Sequence, residues 1–597
     1  MKIVFTIVLI SVISFFSATA QNTTVQQQNI EAFIRVWGLL KYHHPASVNG
    51  GFDADKVFLT NIETFKNAGA AAFNDQLLQL ITTLDQYQSI GKVSNTNQMP
   101  VSRRTNDVVQ DKHLGKNINF NWIHQGIYSK AVQAKLTRIS TTSNLSGQHF
   151  YIQSLNYVAD IPNEKGYADY QFNQESLNLL ALAKAWNAIE YLFPYKYVIG
   201  RGWKTVLQEM IPVFININNR TAYEKAVLLL EVAINDTHAE GFVRQMKNKS
   251  AVLKLAYYPP FDYRIYDQQI LIIDFLNDSL AKVSQLQKGD LIIRINGHSV
   301  EKMLKDRYKW HPASNLAVKN RALSTSEEGN ADFFSDLEEQ SLQVQVIRRG
   351  KLITLPLALL NGDNVKDMEV VNFYVRSKIK QEQTIKGYEE LNDSTALFRA
   401  GHFFDKDLPH GDDELVLFAN QLMNKKAIIF DMRGYPQSPG LFYYYIPMAL
   451  RMPLIKFARY YAADLSYPGS FFYQTELKHY ISADLKTQQN PYTGKIIILT
   501  DENTQSMGEW YTMMLSQLND HTIIIGSQTA GADGDLRKLN LPGGYQFIFT
   551  GNAIFYPDGK PTQRVGIKPD IEFRPTVTDL VFKKDALLEK TMQYLGE

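Results

Sequence analysis

The sequence predicts a multidomain α/β protein, with helical units first and a layered α/β domain last. The chain has 597 residues, which is too long for one hydrophobic core. Two stretches near the N-terminus carry apolar residues at helical spacing, and from about residue 381 short apolar strands alternate with helices. That alternation is typical of a largely parallel sheet with helices on its faces.

The first twenty residues predict an export signal. Lys2 supplies a positive charge, residues 3–16 are mostly apolar, and residues 18–20 form a small-residue cleavage pattern before Gln21. No later stretch is long and apolar enough to predict a membrane span. The chain contains no cysteine, which excludes disulfides and a lipid-bearing cysteine after the signal. We therefore expect a bacterial periplasmic or secreted protein.

The composition narrows the possible partners and cofactors. The net charge is only +2, so nothing predicts a nucleic acid or an anionic membrane as partner. The sequence has no Gly-rich phosphate loop after a strand, no His-Glu-x-x-His helix and no cysteine, so it predicts neither a cofactor nor a metal site. The sequence leaves the oligomeric state open.

Six segments are expected along the chain. They are the signal (1–20), a helical module (21–94), a β-rich connecting region (95–172), a second helical module (173–255), a β domain (256–365) and the α/β domain (366–597). The two modules are interpreted as a repeat, because Trp37 and Pro45 recur as Trp186 and Pro194 at the same spacing. Chance similarity between two amphipathic helices is the alternative.

The ends of the two modules differ at one position. Asp236 matches Asp85, but His238 lies where the first module has Tyr87. If the modules share an ancestor, this histidine was kept or gained for a role other than packing. A histidine that titrates near neutrality is a suitable general base, and a purely structural histidine is the alternative.

The β domain has an ordered set of signals. Residues 286–297 read Leu-Gln-Lys-Gly-Asp-Leu-Ile-Ile-Arg-Ile-Asn-Gly, which predicts a turn, a strand and a turn. Residues 342–347 and 352–359 predict a hairpin around residues 348–350. This order resembles PDZ domains, which implies a domain that binds an extended peptide at a sheet edge. An unrelated small β domain is the alternative.

Ser506 is the candidate nucleophile. Residues 496–500 predict a buried strand, residues 501–505 a polar turn, and Ser506 opens an apolar helical run with the pattern Ser-x-Gly-Glu. Backbone N–H groups and the helix dipole favour negative charge at such a position, where the oxyanion of acyl transfer forms. The alternative is that Ser506 only caps the helix.

Five motifs follow the PDZ-like segment in a fixed order. They are Asp-x-Arg-Gly from Asp431, Ser-x-Gly-Glu from Ser506, Gly-x-x-Thr-x-Gly from Gly526, Tyr-Pro-Asp-Gly from Tyr556 and Gly-Ile-Lys-Pro-Asp from Gly566. Together they resemble the serine peptidase family of C-terminal processing peptidases and the tricorn core, over about residues 175–575. The resemblance implies a crotonase-like α/β catalytic core that cleaves peptide bonds.

The family has two catalytic arrangements. Processing peptidases pair the serine with a lysine, but Ala532 lies at that position here. Tricorn-like members use a histidine that precedes the PDZ domain and follows a small hydroxyl residue, and Thr237-His238 matches this pattern. The resemblance implies Ser506 as nucleophile, His238 as general base and Thr237 as a residue that orients or polarises them. We predict an exported serine endopeptidase with a polypeptide substrate.

Gln563 departs from the tricorn-like pattern. The resemblance places a glutamate at this position, where it completes the catalytic arrangement. A glutamine forms hydrogen bonds but does not offset the positive charge that develops on the histidine. This departure supports a second hypothesis, a non-catalytic protein that binds a peptide or a hydrophobic ligand on the same fold.

The loop after Asp431 also departs from the family pattern. It continues as Gly434-Tyr435-Pro436 where relatives often have Asn-Gly-Gly-Gly, and proline has no N–H to donate. We expect an oxyanion hole made by the N–H of Met507 together with the N–H of Gly434 or Tyr435.

Overall fold

A computed structural model describes residues 24–89, 113–115, 117–142, 148–155, 158–325, 332–451, 457–474 and 490–597. The predicted signal at residues 1–20 lies outside these ranges. Within the ranges, no helix combines the length and the apolar character that a bilayer crossing needs.

Two helical units precede the β domain. The first contains α1 (Val25–His43), α2 (Pro45–Val48), α3 (Ala54–Lys66) and α4 (Ala70–Asp85). The connecting region contains β1 (His113–Leu114), α5 (Lys130–Ser140), β2 (Gln153–Leu155) and β3 (Val158–Asp160). The second unit contains α6 (Glu175–Leu192), α7 (Trp203–Ile215), α8 (Arg220–Ala233), a 3₁₀ turn (Thr237–Ala239), α9 (Glu240–Val243) and α10 (Lys249–Leu253).

The two tryptophans of the predicted repeat make equivalent contacts. Trp37 Nε1 donates to the carbonyl of Ala54 (2.7 Å), and Trp186 Nε1 donates to the carbonyl of Trp203 (2.9 Å), each across 17 residues. Each indole therefore ties the first long helix of its unit to the start of a later helix. This similarity supports the interpretation of the two units as a repeat.

Gly38 lies where α1 contacts α6. Asn187 Nδ2 donates to the carbonyl of Ile34 at 3.1 Å. A Cβ atom on Gly38 would lie 1.8 Å from Asn187 Oδ1. The close approach of the two helices therefore requires a glycine at this position.

We expect the substitution Gly38→Ala to lower the free energy of unfolding by about 1–3 kcal/mol, because the added methyl group must displace Asn187 or separate the helices. Chemical denaturation measures this difference. Gly69→Ala is the matched control, since no atom lies within 4 Å of a Cβ placed there. A Gly38→Ala protein as stable as the parent would contradict the predicted crossing.

The connecting region was predicted to be β-rich, but its described part is mainly helical. It contains the helix α5, and its strands are only two or three residues long. Ser129 caps α5 by accepting the N–H of Val132, and Val132, Leu136 and Ile139 are buried at helical spacing. The helical pattern was thus present in the sequence, although turn-forming and polar residues surround it.

The β domain follows the helical units. Its strands are β4 (Tyr257–Tyr258), β5 (Phe261–Tyr266), β6 (Gln269–Phe275), β7 (Leu291–Ile295), β8 (His298–Ser299), β9 (Ser341–Arg348), β10 (Lys351–Ala358) and β11 (Leu360–Asn361). Its helices are α11 (Asp278–Val283), α12 (Val300–Arg307) and α13 (Leu316–Leu323), and α14 (Val365–Glu382) leads to the next domain. The main sheet has the order β10-β9-β7-β6-β5. Arg349 and Gly350 both have positive φ in the turn between β9 and β10, which confirms the predicted hairpin.

The outer strand β5 is partly covered by its own domain. Ile265 donates its N–H to Ser324 Oγ (2.9 Å), and Tyr263 donates its N–H to Thr325 Oγ1 (3.0 Å). Both acceptors lie directly after α13. A peptide that added to this edge would therefore compete with contacts inside the chain.

The last domain is the predicted layered α/β domain. Its first half contains β12 (Tyr388–Glu390), β13 (Thr395–Arg399), α15 (Asp412–Met423), β14 (Ala427–Asp431), a π-helical turn (Leu441–Tyr445), α16 (Ile446–Ala449), β15 (Arg459–Ala463) and β16 (Phe471–Gln474). Its second half contains β17 (Lys495–Thr500), α17 (Met507–Leu515), β18 (Thr522–Gly526), β19 (Leu536–Leu541), β20 (Tyr545–Thr550), β21 (Ala553–Phe555), β22 (Ile571–Glu572), α18 (Val577–Val581) and α19 (Ala586–Leu595).

The core sheet brings the loops after β14 and β17 together. Its order is β12-β13-β14-β17-β18-β22, and all pairs except β12–β13 are parallel. Asp431 pairs with Leu499, and Leu499 pairs with Ile525, so three strands end at about the same level. This register places the two loops next to each other at the carboxyl edge of the sheet.

The β19–β20 hairpin leaves the core and packs against the second helical unit. Three fully buried carboxylates of that unit accept hydrogen bonds from β20: Glu224 from the Tyr545 hydroxyl, Glu231 from the Ile548 N–H (2.7 Å) and Asp236 from the Thr550 N–H (2.7 Å). Along this edge of β20, the carboxylates accept hydrogen bonds that a neighbouring strand would otherwise accept. The hairpin therefore joins the second helical unit to the last domain.

Candidate active site

Ser506 lies at the start of α17, after β17 and its polar turn. Its φ is 53° and its ψ is −115°, a conformation that few residues other than glycine adopt. The Ser506 N–H donates to the Glu509 carboxylate at 3.2 Å. The hydroxyl lies 3.1 Å from His238 Nε2 and 3.4 Å from the carbonyl oxygen of Gly534. Backbone strain of this kind collects at functional sites, so the geometry favours a nucleophile over a simple helix cap.

His238 reaches Ser506 from the 3₁₀ turn after α8. The distance of 3.1 Å between Nε2 and the serine Oγ is within reach of a general base. The other ring nitrogen, Nδ1, lies 2.8 Å from Thr550 Oγ1. The histidine and the serine are 268 residues apart in the chain, and they meet because β20 packs against the second helical unit.

Thr550 determines the tautomer of His238. Thr550 Oγ1 donates to Asp236 Oδ2 at 2.8 Å, so the single hydroxyl proton is already used. The hydroxyl must then accept from His238, which places the ring proton on Nδ1. Nε2 is left without a proton and accepts from the serine hydroxyl, as a general base requires.

Asp236 places a negative charge behind His238. Its Oδ1 lies 3.6 Å from the ring nitrogen Nδ1 of His238. The same oxygen accepts the backbone N–H of His238 at 3.2 Å. Burial by itself would raise the pKa of Asp236, but hydrogen bonds from His238 and Thr550 outweigh it, and the pKa lies below its ordinary value. Asp236 therefore stays ionised and can offset the charge of an imidazolium.

Gln563 is a partner of this carboxylate. Its Nε2 lies 3.3 Å from Asp236 Oδ1 and 3.5 Å from Ser314 Oγ. A glutamate here would bring two buried carboxylates together, whereas the glutamine amide donates to Asp236. Asp236 thus provides a carboxylate in the place of the acidic group that the family pattern has at position 563.

Asp236 and Thr550 were missed as site residues by the sequence reasoning. The tripeptide Asp236-Thr237-His238 offered a signal for the acid, because a side chain two residues before the histidine can reach the same turn. Thr550 offered no signal, since it lies in no motif and 314 residues from Asp236.

Thr237 contacts the β domain through its side chain. Its Oγ1 lies 3.0 Å from Ser314 Oγ and accepts the Ser314 N–H at 2.9 Å. Its own N–H donates to Ser314 Oγ at 2.9 Å. These contacts hold the turn that carries His238, and the predicted orienting role of Thr237 stays a prediction.

The predicted oxyanion donors lie on two neighbouring loops. Met507 is the first residue of α17, and Gly434 follows β14. Within the described part of the chain, neither N–H donates to an acceptor, so both groups are available to a ligand. A Cβ atom on Gly434 would lie 2.9 Å from the Cα atom of Gly401 in the loop after β13, so the close approach of the loops after β13 and β14 requires a glycine.

Glu509 holds the loop that faces the nucleophile. Its buried carboxylate accepts the N–H groups of Gly531 (2.7 Å) and Ala532 (2.9 Å) and the hydroxyl of Thr529. Burial raises the pKa of Glu509, and these hydrogen bonds oppose the rise. Ala532, at the lysine position of processing peptidases, contributes its backbone to this contact.

Comparison with known families decides the class of protein. Residues 402–573 match the family described as Peptidase family S41, and residues 234–309 match the PDZ domain. The last domain of the chain therefore contains an S41 peptidase domain. The S41 match includes Ser506, Met507, Gly434 and Gln563, whereas His238 lies within the PDZ match, which begins before the predicted domain start at residue 256.

Several solved structures are similar to this chain. Mature CPAF complexed with lactacystin has 14% identity and a TM-score of 0.49, covering 70% of this chain and 98% of that chain. A putative peptidase from Parabacteroides merdae has 13% identity and a TM-score of 0.38, with 71% and 97% covered. The tricorn protease has 14% identity and a TM-score of 0.31, with 70% and 36% covered. No curated protein matches the chain by sequence.

Proposed function

We propose that this protein is a serine endopeptidase of the tricorn-like type that hydrolyses peptide bonds of polypeptides. Ser506 is the nucleophile and His238 is the general base. Asp236 supports the base, directly and through Thr550. The observation that carries the proposal is the distance of 3.1 Å between His238 Nε2 and Ser506 Oγ.

The reaction begins when Ser506 Oγ attacks the carbonyl carbon of the scissile peptide and its proton passes to His238 Nε2. The π electrons of the carbonyl move to its oxygen, which accepts hydrogen bonds from the N–H groups of Met507 and Gly434. Asp236 offsets the positive charge of the imidazolium. His238 then protonates the leaving amine as the C–N bond breaks, and water releases the acyl group by the same sequence.

The alternative, a non-catalytic protein that binds a peptide or a hydrophobic ligand, is not favoured. It depends on the loss of the family glutamate at Gln563 and on the altered loop after Asp431. Asp236 lies 3.6 Å from the histidine ring, so a compensating negative charge is present despite the glutamine. The N–H groups of Met507 and Gly434 remain available as oxyanion donors.

A fluorophosphonate probe, which reacts with activated serine hydroxyl groups, tests the proposal. We expect one label per chain, mapped to Ser506, and labelling that is slower by at least about 10²-fold in His238→Ala, which lacks the general base. His521→Ala is the matched control, because it removes an exposed histidine beside β18. A folded parent protein that takes up no label at Ser506 would favour the binding function.

Export of the peptidase is part of this proposal. It depends on the charged start, apolar run and small-residue site within residues 1–20. The substrate would then be a polypeptide that the peptidase meets in the periplasm or outside the cell, and the PDZ domain would bind an extended segment of it.

A further inference from the structure

The outer edge of β19 is a strand edge that faces away from β20. The two strands form a two-stranded antiparallel sheet, in which Lys538 lies opposite Ile548. Ile548 uses its N–H for Glu231, so Lys538 and Ile548 exchange no hydrogen bonds across the pair. The backbone N–H and C=O of Lys538 therefore point outward. Because a strand repeats every two residues, the same holds for Leu536 and Asn540.

No strand pairs with this edge in the part of the chain that the structure describes. The N–H groups of Leu536, Lys538 and Asn540 have no acceptor there, and the carbonyls of Lys538 and Asn540 have no donor. The carbonyl of Leu536 accepts Arg537 Nη1 at 2.6 Å. Leu536 and Lys538 are exposed, so solvent reaches the edge. An open edge of this kind is a template for another extended chain.

The open edge begins beside the nucleophile. The carbonyl oxygen of Gly534 lies 3.4 Å from Ser506 Oγ, and β19 starts two residues later at Leu536. Two residues of chain span only a few ångströms, so Leu536 lies within about 10 Å of Ser506 Oγ. The strand has six residues and is therefore about 20 Å long. A chain paired with it would have one end at the catalytic serine.

The outer strands of the main β-domain sheet are less open than β19. The strand β5 is covered by its contacts with Ser324 and Thr325. The strand β10 contains Pro356, which has no N–H to offer a partner. β19 contains no proline. The strand edge that leads to Ser506 is thus more accessible to an extended chain than the edges of the β domain.

We propose that an extended segment of the substrate adds to the outer edge of β19 as a third strand, an inference that rests on the proposed peptidase function. Lys538 and Asn540 each donate an N–H and accept at a C=O, so the site binds main-chain groups. The scissile peptide lies at Ser506, and about four residues on one side of it lie along β19. The substrate class is therefore an unfolded polypeptide, recognised with little sequence selectivity on that side.

Peptide length provides the first test. Two series of peptides share one scissile bond and are lengthened by up to about five residues, either toward the N-terminus or toward the C-terminus. We expect kcat/KM to rise by about tenfold or more in one of the two series, because each added pair of main-chain hydrogen bonds stabilises the complex. An equal kcat/KM for all lengths in both series would overturn the proposal.

N-methylation of single amides in the favoured series provides the second test. A methyl group removes one N–H, and only every second N–H of an extended strand faces its neighbour. We expect kcat/KM to fall at alternate positions and to change little at the positions between them. Equal losses at adjacent positions would show that the segment does not bind as a strand.

Lys538→Pro tests the strand edge from the side of the protein. It removes an outward N–H and leaves the hydrogen bonds between β19 and β20 in place. We expect the ratio of kcat/KM for long and short peptides to fall by about tenfold. Thr354→Pro is the matched control, because it puts a proline at an exposed position of β10, two residues before Pro356, and it should keep the parent ratio.

Thermal unfolding verifies the fold of each variant, and the N-methylated peptides decide the question with the parent protein if Lys538→Pro does not fold. Ser506→Ala, assayed in parallel, separates the two proposals. If Ser506→Ala retains turnover, the peptidase mechanism itself is wrong. If Ser506→Ala is inactive but a folded Lys538→Pro keeps the parent ratio, only the role of β19 is wrong.

Discussion

Replacing Ser506 with alanine should lower kcat by about 10⁶-fold, as the loss of a nucleophile does in other serine peptidases. The variant has no oxygen to attack the substrate, so no acyl intermediate forms. The fold should be unaffected, because alanine and serine meet the same backbone strain at a φ of 53°. Release of fluorescent peptides from an unfolded labelled polypeptide measures turnover, and thermal unfolding measures stability.

Ser516→Ala is the matched control for this experiment. It removes a hydroxyl at the other end of α17, which donates to the carbonyl of Met513 at 2.7 Å, and it should keep the parent kcat. Turnover by a pure Ser506→Ala protein at the parent rate would contradict the assignment of the nucleophile.

Replacing Asp236 with asparagine should lower kcat by about 10⁴-fold, with a much smaller change in KM. The substitution keeps the size of the side chain but removes the charge that offsets the imidazolium. An amide nitrogen in the place of Oδ2 cannot accept from Thr550, so the hydroxyl of Thr550 can turn and the His238 ring can take the wrong tautomer. Steady-state kinetics on a peptide substrate measures the loss.

Gln563→Glu tests whether the carboxylate at position 236 replaces the family glutamate. Because Gln563 Nε2 lies 3.3 Å from Asp236 Oδ1, a glutamate at position 563 places its charge beside the asparagine of the Asp236→Asn variant. We expect the double variant to recover kcat by about tenfold or more, since the charge near the histidine is restored. A parent-like kcat in Asp236→Asn alone would show that this charge has no role.

In the parent background, Gln563→Glu should destabilise the protein. It brings a second carboxylate against the buried Asp236, where two like charges cannot both be ionised at low cost. A lower melting temperature than the parent, without a gain in kcat, is the expected result in this arm of the experiment.

The elements that carry the reaction could be predicted where the signal is local. Ser506 follows a buried strand and opens a helix within about a dozen residues, so the pattern alone predicts its position at the sheet edge. The parallel sheet and the neighbouring loops at Asp431 and Thr500 follow from the alternation of strands and helices. The pairing of His238 with Ser506 followed from the family resemblance, since no spacing connects residues so far apart.

The rest of the site depends on tertiary contacts that leave little trace in the sequence. Thr550 becomes a partner of His238 only because β20 packs along α8. Thr237 turns its hydroxyl to Ser314 because the β domain is in contact with that turn. The missed helix α5 has a different cause, since its apolar spacing was present but polar and turn-forming neighbours outweighed it.

The packing of the β19–β20 hairpin determines when during synthesis the catalytic site can form. The ribosome adds His238 268 residues before Ser506, and Thr550 only after both. A nascent or truncated chain that ends before the hairpin has a serine but no oriented imidazole beside it. Cleavage by the proposed mechanism therefore requires a chain that extends through β20.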